Sequence, residues 1–292
     1  MSLCWMHHER KKKMTYEEYL VNLEAYMEEN LQESEYLEEI SVVKSNGNIL
    51  DGLQYFNDER RDHPVVYVNQ YYKKEMTEAE LSELACSILQ KLRTARVLDE
   101  DKILKLREFE FVKDFIYPKL LNESDNEELL ENVPWVEWVD MAVVFCIRTP
   151  QDILPKATAV ITTKLMGFWK VSVTELYQLS ITNLRKEKIS LIPTGNGIWV
   201  LGKDVQKYGA AAIILPEAQS MCAEKIGTGF YMLPRSLHEC IIIAGKVIMD
   251  DLMKYLKENP LKEDERLSDQ VYYFDLEKKY FVNCKKSEGE TE

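Results

Sequence analysis

Apolar residues recur every three to four positions in several stretches of the chain, which is the spacing of one buried helical face. Such stretches follow Thr15, Thr77, Ser124 and Ser172. Each start has the Ser/Thr-x-x-Glu pattern of a capping box, in which a hydroxyl and a carboxylate bind free backbone N–H groups. The predicted helices cover residues 15–33, 77–92, 100–116, 124–133, 172–188, 216–226 and 246–257.

Short apolar runs separated by turn residues predict β-strands in the rest of the chain. Asn46-Gly47 and the turn at 195–197 each separate two such runs, because asparagine and glycine tolerate the positive φ angles of tight hairpins. Val139–Ile147 has apolar residues on both faces, which predicts a central strand. The predicted strands are residues 40–44, 49–55, 65–68, 139–147, 157–163, 189–192, 198–201, 209–215, 229–233, 240–244, 271–275 and 280–282.

Helices and strands are mixed without a regular βαβ rhythm, so the predicted class is α+β with a mixed, largely antiparallel sheet. The texture of the sequence changes at Pro134. We therefore predict a helix-rich part over residues 14–133 and a strand-rich part over residues 134–284. The polar tail, 285–292, is predicted to be disordered.

The first thirteen residues differ from the rest of the chain. They have no helical period, and they contain four basic residues and one acidic residue. Met14 is followed at once by the capping box at Thr15. We interpret residues 1–13 as a non-native or disordered extension and Met14 as the biological start.

The charge of the chain limits its partners. Its 292 residues include 50 acidic and 37 basic side chains, for a formal net charge of −13. Nucleic acid is bound by clustered Lys and Arg, and the only dense basic run is residues 10–13. Nucleic acid is therefore not an expected partner, whereas another protein with a basic surface is, because opposite charges attract.

No apolar run approaches the roughly 20 residues of a membrane helix, and no apolar secretory signal is present. We expect a cytoplasmic protein with no membrane partner. The six cysteines are scattered without a Cys-x-x-Cys pair, and most sit among apolar residues, which predicts buried, reduced thiols. After Met14 only His63 and His238 remain, and no glycine-rich turn opens a helix, so we expect no metal and no cofactor.

One segment, Leu233–Glu239, places a hydroxyl, an imidazole and a carboxylate within four residues. Ser236 and His238 are candidates for a nucleophile and its base, with Glu239 as the third member. In a strand Ser236 and His238 would share a face, with Cβ atoms about 6–7 Å apart. That separation is unfavourable for the ~3 Å hydrogen bond that activation of the serine requires. The alternative is a turn in which these groups bind buried backbone or Arg235.

Two tyrosines, Tyr71 and Tyr72, are candidates for an aromatic binding surface, together with Arg235. The alternative for the tyrosines is packing in the core, which is the common place for aromatic rings.

Several blocks of sequence occur in the same order as in a known family. The blocks are Asp51-Gly52-Leu53, Val66–Asn69 with Tyr71-Tyr72, Asp140–Phe145, Tyr208–Ala211, Leu233–Glu239 and Leu267–Tyr273. From about Met14 to Val282 the chain resembles a family of uncharacterised bacterial proteins, a domain of unknown function from gut Firmicutes. The chain departs from that family at Arg235, where a second serine is usual.

The resemblance implies a cytoplasmic bacterial protein, with carriage on a phage or other mobile element as an open alternative, and it implies no activity. Two functions remain. We expect a non-enzymatic binding or interaction protein, because no other segment carries a catalytic pattern. The alternative is a hydrolase or transferase that uses Ser236, His238 and Glu239.

Overall fold

The computed structural model describes residues 11–96, 100–150, 153, 157–203, 208–245, 249–261, 265–268 and 270–284. Within these ranges the chain forms nine α-helices and four sheets, and every strand pair is antiparallel. The predicted α+β class is confirmed. The chain divides into two compact units, Met1–Lys44 with Ile49–Asp99, and Ser45–Asn48 with Glu100–Glu292.

The division of the chain lies near Asp99 and not at Pro134. The strand before Pro134, Ile116–Asn122, pairs along its whole length with the strand Met141–Arg148 after it. The predicted boundary therefore lies inside one sheet. The change in composition that we interpreted as a domain boundary marks the start of the most buried part of this sheet.

The first unit contains a three-stranded sheet, a two-stranded sheet and two helices. Apolar side chains on one face of each helix are buried, as the helical spacing predicted, and the capping boxes at Thr15 and Thr77 both form. The Asn46-Gly47 turn joins the two longest strands, with φ angles of 63° and 61°. The elements are β1 (Lys12–Lys13), α1 (Tyr16–Glu28), β2 (Glu35–Val43), β3 (Ile49–Asn57), β4 (Val65–Tyr67), β5 (Glu75–Met76) and α2 (Glu78–Arg93).

Part of the predicted N-terminal extension is ordered. Lys12 and Lys13 pair with Met76 and Glu75 as a short antiparallel ladder, and the Met14 N–H donates to the Lys74 carbonyl at 3.0 Å. The prediction of disorder is therefore wrong for these lysines. Residues 1–10 and the predicted disordered tail at 285–292 lie outside the described ranges.

A buried ion pair, Glu35 with Arg93, joins four segments of the first unit. The Glu35 side chain is 2% exposed, and its oxygens accept two bonds from the Arg93 guanidinium at 2.9 and 2.5 Å. Tyr55 and the Gln32 N–H donate to the same carboxylate at 2.5 and 2.9 Å. These donors, Arg93 foremost, lower the pKa of Glu35 from 4.5 to about 2 although burial opposes the charge.

We predict that Glu35→Gln destabilises the protein at pH 7 by about 3 kcal/mol, because it leaves the Arg93 charge in place without its partner. A carboxylate whose pKa is lowered by folding stabilises the fold above its unfolded pKa. That contribution is lost as the pH falls from about 4.5 to about 2. Denaturant unfolding at several pH values measures the difference, which should shrink on acidification.

The matched control is Glu38→Gln, which changes an exposed glutamate on the same strand. We expect it to alter the unfolding free energy by less than about 0.5 kcal/mol. Equal effects of the two substitutions at pH 7 would contradict the role of the ion pair.

The second unit contains a four-stranded sheet and a six-stranded sheet with helices. The four-stranded sheet has the order β6-β8-β7, with β9 also paired to β8, and the six-stranded sheet has the order β10-β11-β13-β12-β14-β15. The elements are α3 (Glu100–Lys105), α4 (Phe109–Val112), β6 (Ile116–Asn122), α5 (Glu127–Leu130), β7 (Trp135–Trp138), β8 (Met141–Arg148), β9 (Thr158–Val160), α6 (Thr163–Trp169), α7 (Val173–Arg185), β10 (Ile189–Gly195), β11 (Ile198–Lys203), α8 (Pro216–Ile226), β12 (Phe230–Leu233), β13 (Cys240–Ala244), α9 (Met249–Glu258), β14 (Tyr272–Asp275) and β15 (Tyr280–Asn283).

The strand β8 is the centre of this unit. Its first seven residues are all buried, with β6 on one side and β7 and β9 on the other. This confirms the central strand predicted from the continuous apolar run. The strand β6 was not predicted, because Pro118 and Lys119 interrupt its apolar pattern.

Two predicted elements are wrong. Residues 209–215 form a buried 3-10 helix, Gly209–Ile214, because a continuous apolar run fits a buried helix as well as a strand. The single helix predicted over 100–116 breaks into two short helices and a 3-10 turn. The Asn183 side-chain amide donates hydrogen bonds to the carbonyls of Lys113 and Ile116 at 2.8 and 3.0 Å. These bonds replace further helical hydrogen bonds.

The described cysteines form no disulfide. Burial raises the pKa of Cys146 to about 11 and that of Cys222 to about 12, so both are protonated at neutral pH. Cys86 differs from the expectation of burial, because it lies exposed on α2.

Gly229 allows a close approach between neighbouring strands. A Cβ atom at this position would lie 2.6 Å from the Phe274 carbonyl oxygen and within 2.8 Å of the Tyr273 ring. We predict that Gly229→Ala destabilises the protein by about 1–3 kcal/mol, because the backbone of β14 must move. Thermal unfolding measures the loss.

The control for this substitution is Gly167→Ala in α6. A Cβ atom there meets no atom within 4 Å, so alanine should be neutral or stabilising. A melting temperature that is unchanged by Gly229→Ala would contradict the close approach.

Candidate functional site

The predicted segment Leu233–Glu239 is a turn and not an extended strand. Ser236 is 2% exposed, and its hydroxyl oxygen accepts the backbone N–H groups of His238 and Glu239, both at 3.2 Å. The Leu237 N–H donates to the Glu265 carbonyl, which ties the turn to the next segment. The predicted pairing of Ser236 with His238 required both side chains to share one face of a strand. This turn does not have that alternating geometry.

His238 is held beside the buried 3-10 helix. Its Nδ1 accepts the backbone N–H of Tyr208 at 3.1 Å, and the two rings stack with centroids 6.0 Å apart. A nitrogen that accepts this bond is not free to take a proton from a serine. The structure brings Ser236, His238 and Glu239 together in one turn, and a catalytic role for them remains a hypothesis that this geometry does not support.

Arg235 binds backbone at the end of a helix. It is 8% exposed, and its guanidinium donates to the Leu256 carbonyl at 3.1 Å and to the Asn259 carbonyl. Free carbonyls and the negative end of the helix dipole favour a cation at a helix C-terminus. The hydrogen bonds of Arg235 therefore hold the C-terminal end of α9 against the turn.

The two candidate tyrosines differ in their surroundings. The Tyr72 hydroxyl donates to the Met14 carbonyl at 2.8 Å, and its ring contacts those of Tyr16 and Tyr19 at 5.2 and 5.4 Å. Tyr71 lies beneath the Lys91 ammonium, 5.0 Å from the ring centroid, and lines an open cavity of about 410 Å³ on α2. Both tyrosines are half-buried and pack against the core of the first unit, and Tyr71 also lines this cavity.

We predict that Ser236→Ala lowers the stability of the protein by about 1–3 kcal/mol, because two buried backbone N–H groups lose their acceptor. Thermal unfolding is the measurement. Ser220→Ala, an exposed serine on α8, is the control and should be neutral. An unchanged melting temperature for Ser236→Ala would show that the hydroxyl does not hold the turn.

A different group of polar residues lines a cavity of the second unit. It is open and has a volume of about 490 Å³. We call it the Asp140 cavity. Its lining residues are Asn122, Glu123, Ser124, Glu127, Asp140, Ser268, Gln270, Tyr272 and Asn283.

Asp140 is the most constrained acid of this cavity. Its Oδ1 accepts the Tyr272 hydroxyl at 2.5 Å, and its Oδ2 accepts the Asn283 amide at 2.8 Å. Tyr272 and Asn283 are cross-strand partners on β14 and β15, so one sheet presents both donors to one carboxylate. Burial, and then the bond to Asp140, raise the pKa of Tyr272, which keeps its hydroxyl a donor.

The backbone beside Asp140 has an unusual conformation. Val139 and Asp140 form the two-residue turn between β7 and β8, and Val139 has a φ angle of 62°. A β-branched residue is strained there by roughly 1–3 kcal/mol. The buried strand β8 imposes this turn and places Asp140 at the end of the sheet. The predicted strand start at Val139 is thus a turn residue.

Ser124 and Glu127, which were predicted to form a capping box, line one wall of the cavity. The capping box does not form. Ser124 was predicted to cap the helix with Glu127, but its hydroxyl donates to the Asn122 side chain at 2.9 Å. The helix starts instead at Glu127, after Asn126, without a side-chain cap. The Glu127 carboxylate lines the cavity.

Asn126 holds this wall in place. It is 2% exposed, and its amide donates to the Asn122 carbonyl at 2.7 Å. Its side-chain oxygen accepts the Asn46 N–H at 2.7 Å, within the same unit. The Asn46 amide in turn donates to the Arg266 carbonyl at 2.6 Å, next to the loop that carries Ser268. The cavity wall is therefore bonded to three chain segments.

The chemistry of the cavity is that of hydrogen-bond acceptors. Three carboxylates line it, and none of the described lining residues is basic. No group of three or more His, Cys, Asp or Glu in the described ranges is arranged to hold a metal ion. The arrangement suits a cationic or multiply donating group.

The sequence contained two signals for this site that we did not use. Asp140 directly precedes the apolar run of β8, and Ser268, Gln270 and Tyr272 recur in one polar–aromatic segment. Their meeting depends on the order of strands in two sheets, which the sequence does not reveal.

No helix in the described ranges is long and apolar enough to cross a membrane.

The fold and the site define an acidic α+β protein with a polar, carboxylate-lined cavity. The chain belongs to a family of unknown function, DUF5688, whose model matches residues 16–194 and 186–276. The resemblance to a domain of unknown function is confirmed by this match. No curated protein and no solved structure matches the chain.

Proposed function

We propose that this chain is a non-enzymatic binding protein of the bacterial cytoplasm that engages a basic surface of another protein through the Asp140 cavity. The observation that carries the proposal is the lining of that cavity. Glu123, Glu127 and Asp140 surround it, and the other described lining residues are neutral and polar. None of the described lining residues is basic, so a basic partner supplies the positive charges that balance these carboxylates.

The net charge of the chain supports the same partner. A protein with a formal charge of −13 attracts basic surfaces and repels acidic ones. At physiological salt this attraction acts over roughly 8 Å, so it favours encounter while the cavity provides the specific contacts. Acidic partners and nucleic acid are disfavoured by the same field.

The test is a binding titration with a fluorescent octalysine peptide, followed by anisotropy. We expect Glu123→Gln/Glu127→Gln/Asp140→Asn to weaken binding at least about tenfold, which corresponds to roughly 1.4 kcal/mol. The binding of the wild-type protein should also weaken as salt is raised, because exposed charges are screened.

The matched control removes three acidic charges elsewhere. Glu33→Gln/Glu38→Gln/Glu59→Gln changes exposed glutamates of the first unit by the same total charge. It should keep most of the affinity. If both triple variants lose affinity equally, binding follows net charge alone and the cavity is not the site.

A further inference from the structure

The carboxylate of Asp140 has a fixed orientation in the cavity. Each of its two oxygens accepts one hydrogen bond from the protein, from Tyr272 at 2.5 Å and from Asn283 at 2.8 Å. Rotation of the carboxylate would break both bonds. The group is therefore set in one plane before a ligand arrives, which reduces the entropy that a ligand must overcome.

An ionised carboxylate has about four acceptor positions, two on each oxygen. Tyr272 and Asn283 occupy one position on each oxygen of Asp140. Asp140 itself lines the cavity, and the described residues show no third hydrogen bond to its oxygens, so an acceptor position on each oxygen remains for a ligand. Two parallel acceptors on one planar group match two parallel N–H donors.

A guanidinium has this arrangement of donors, and an ammonium does not. Arginine presents five N–H groups in a rigid planar fork, whereas lysine is a point charge with three rotating donors. The remaining N–H groups of a guanidinium find further acceptors in the cavity, from Ser268, Gln270 and Glu127. A lysine gains the charge attraction but not the paired geometry.

We infer that the Asp140 cavity recognises the guanidinium of an arginine side chain on the partner protein in preference to a lysine. The inference rests on the proposed function, since it names the group that the same cavity takes. Tyr272 and Asn283 act as positioning residues, because they orient Asp140.

The experiment compares two peptides, octalysine and the same peptide with one central arginine. The wild-type protein should bind the arginine peptide about tenfold more tightly, the value expected for one bidentate pair worth roughly 1.4 kcal/mol. Tyr272→Phe keeps the charge of Asp140 but removes the donor to Oδ1. It should abolish the preference for the arginine peptide over octalysine.

Two further variants exclude loss of folding as the cause. Asp140→Glu keeps the charge and moves the carboxylate by one methylene, so it too should remove the preference. Tyr280→Phe removes a hydroxyl from a tyrosine that is 47% exposed on the neighbouring strand, and it should keep the preference. Circular dichroism and thermal melting report the fold of each variant.

The outcomes separate this inference from the proposed function. Equal affinity for the two peptides in the wild-type protein overturns the arginine inference and leaves the proposed function standing. A preference that persists in both Tyr272→Phe and Asp140→Glu also overturns it, because the preference then arises elsewhere. Failure of both peptides to bind the wild-type protein overturns the proposed function itself.

Discussion

The complete burial of β8 is the constraint on which the second unit depends. Seven consecutive buried residues require neighbouring strands on both sides and cover on both faces. The pairing with β7 leaves only Val139 and Asp140 for the turn, so the strained backbone at Val139 follows from the register. Burial of an apolar strand thus determines where a charged side chain stands, and the stability of the core compensates for the strain.

The first unit depends on a polar interaction to a greater degree. Arg93 lies at the end of α2 and Glu35 at the start of β2, and their bond joins the last helix to the sheet. The unit has a small core, so one well-bonded ion pair supplies orientation that apolar contacts do not. The second unit obtains comparable orientation from the side chains of Asn126 and Asn183, which bind backbone groups of distant segments.

Local patterns predicted the elements whose ends are determined by nearby residues. Thr15, Thr77 and Ser172 cap helices as expected, and the hairpins at Asn46 and Asn196 form where turn residues stand. Ser124 failed as a cap because it lies inside a 3-10 turn, Ser124–Asn126, and the helix starts only after that turn. The strand β6 was missed because Lys119 is buried by partners far along the chain, Ser45 and Tyr208. The meeting of Asp140 with Tyr272 spans more than a hundred residues and depends on tertiary structure alone.

The composition of β6 has a consequence for self-association. Among the described strands β6 lies at the edge of its sheet, and a sheet edge is a template on which another chain can add a strand. Pro118 has no N–H to offer such a chain, and the neighbouring Lys119, which is only 4% exposed, places a charged side chain within the same strand. Both features oppose edge-to-edge aggregation, so the residues that obscured this strand in the sequence also protect the folded molecule from polymerising through it.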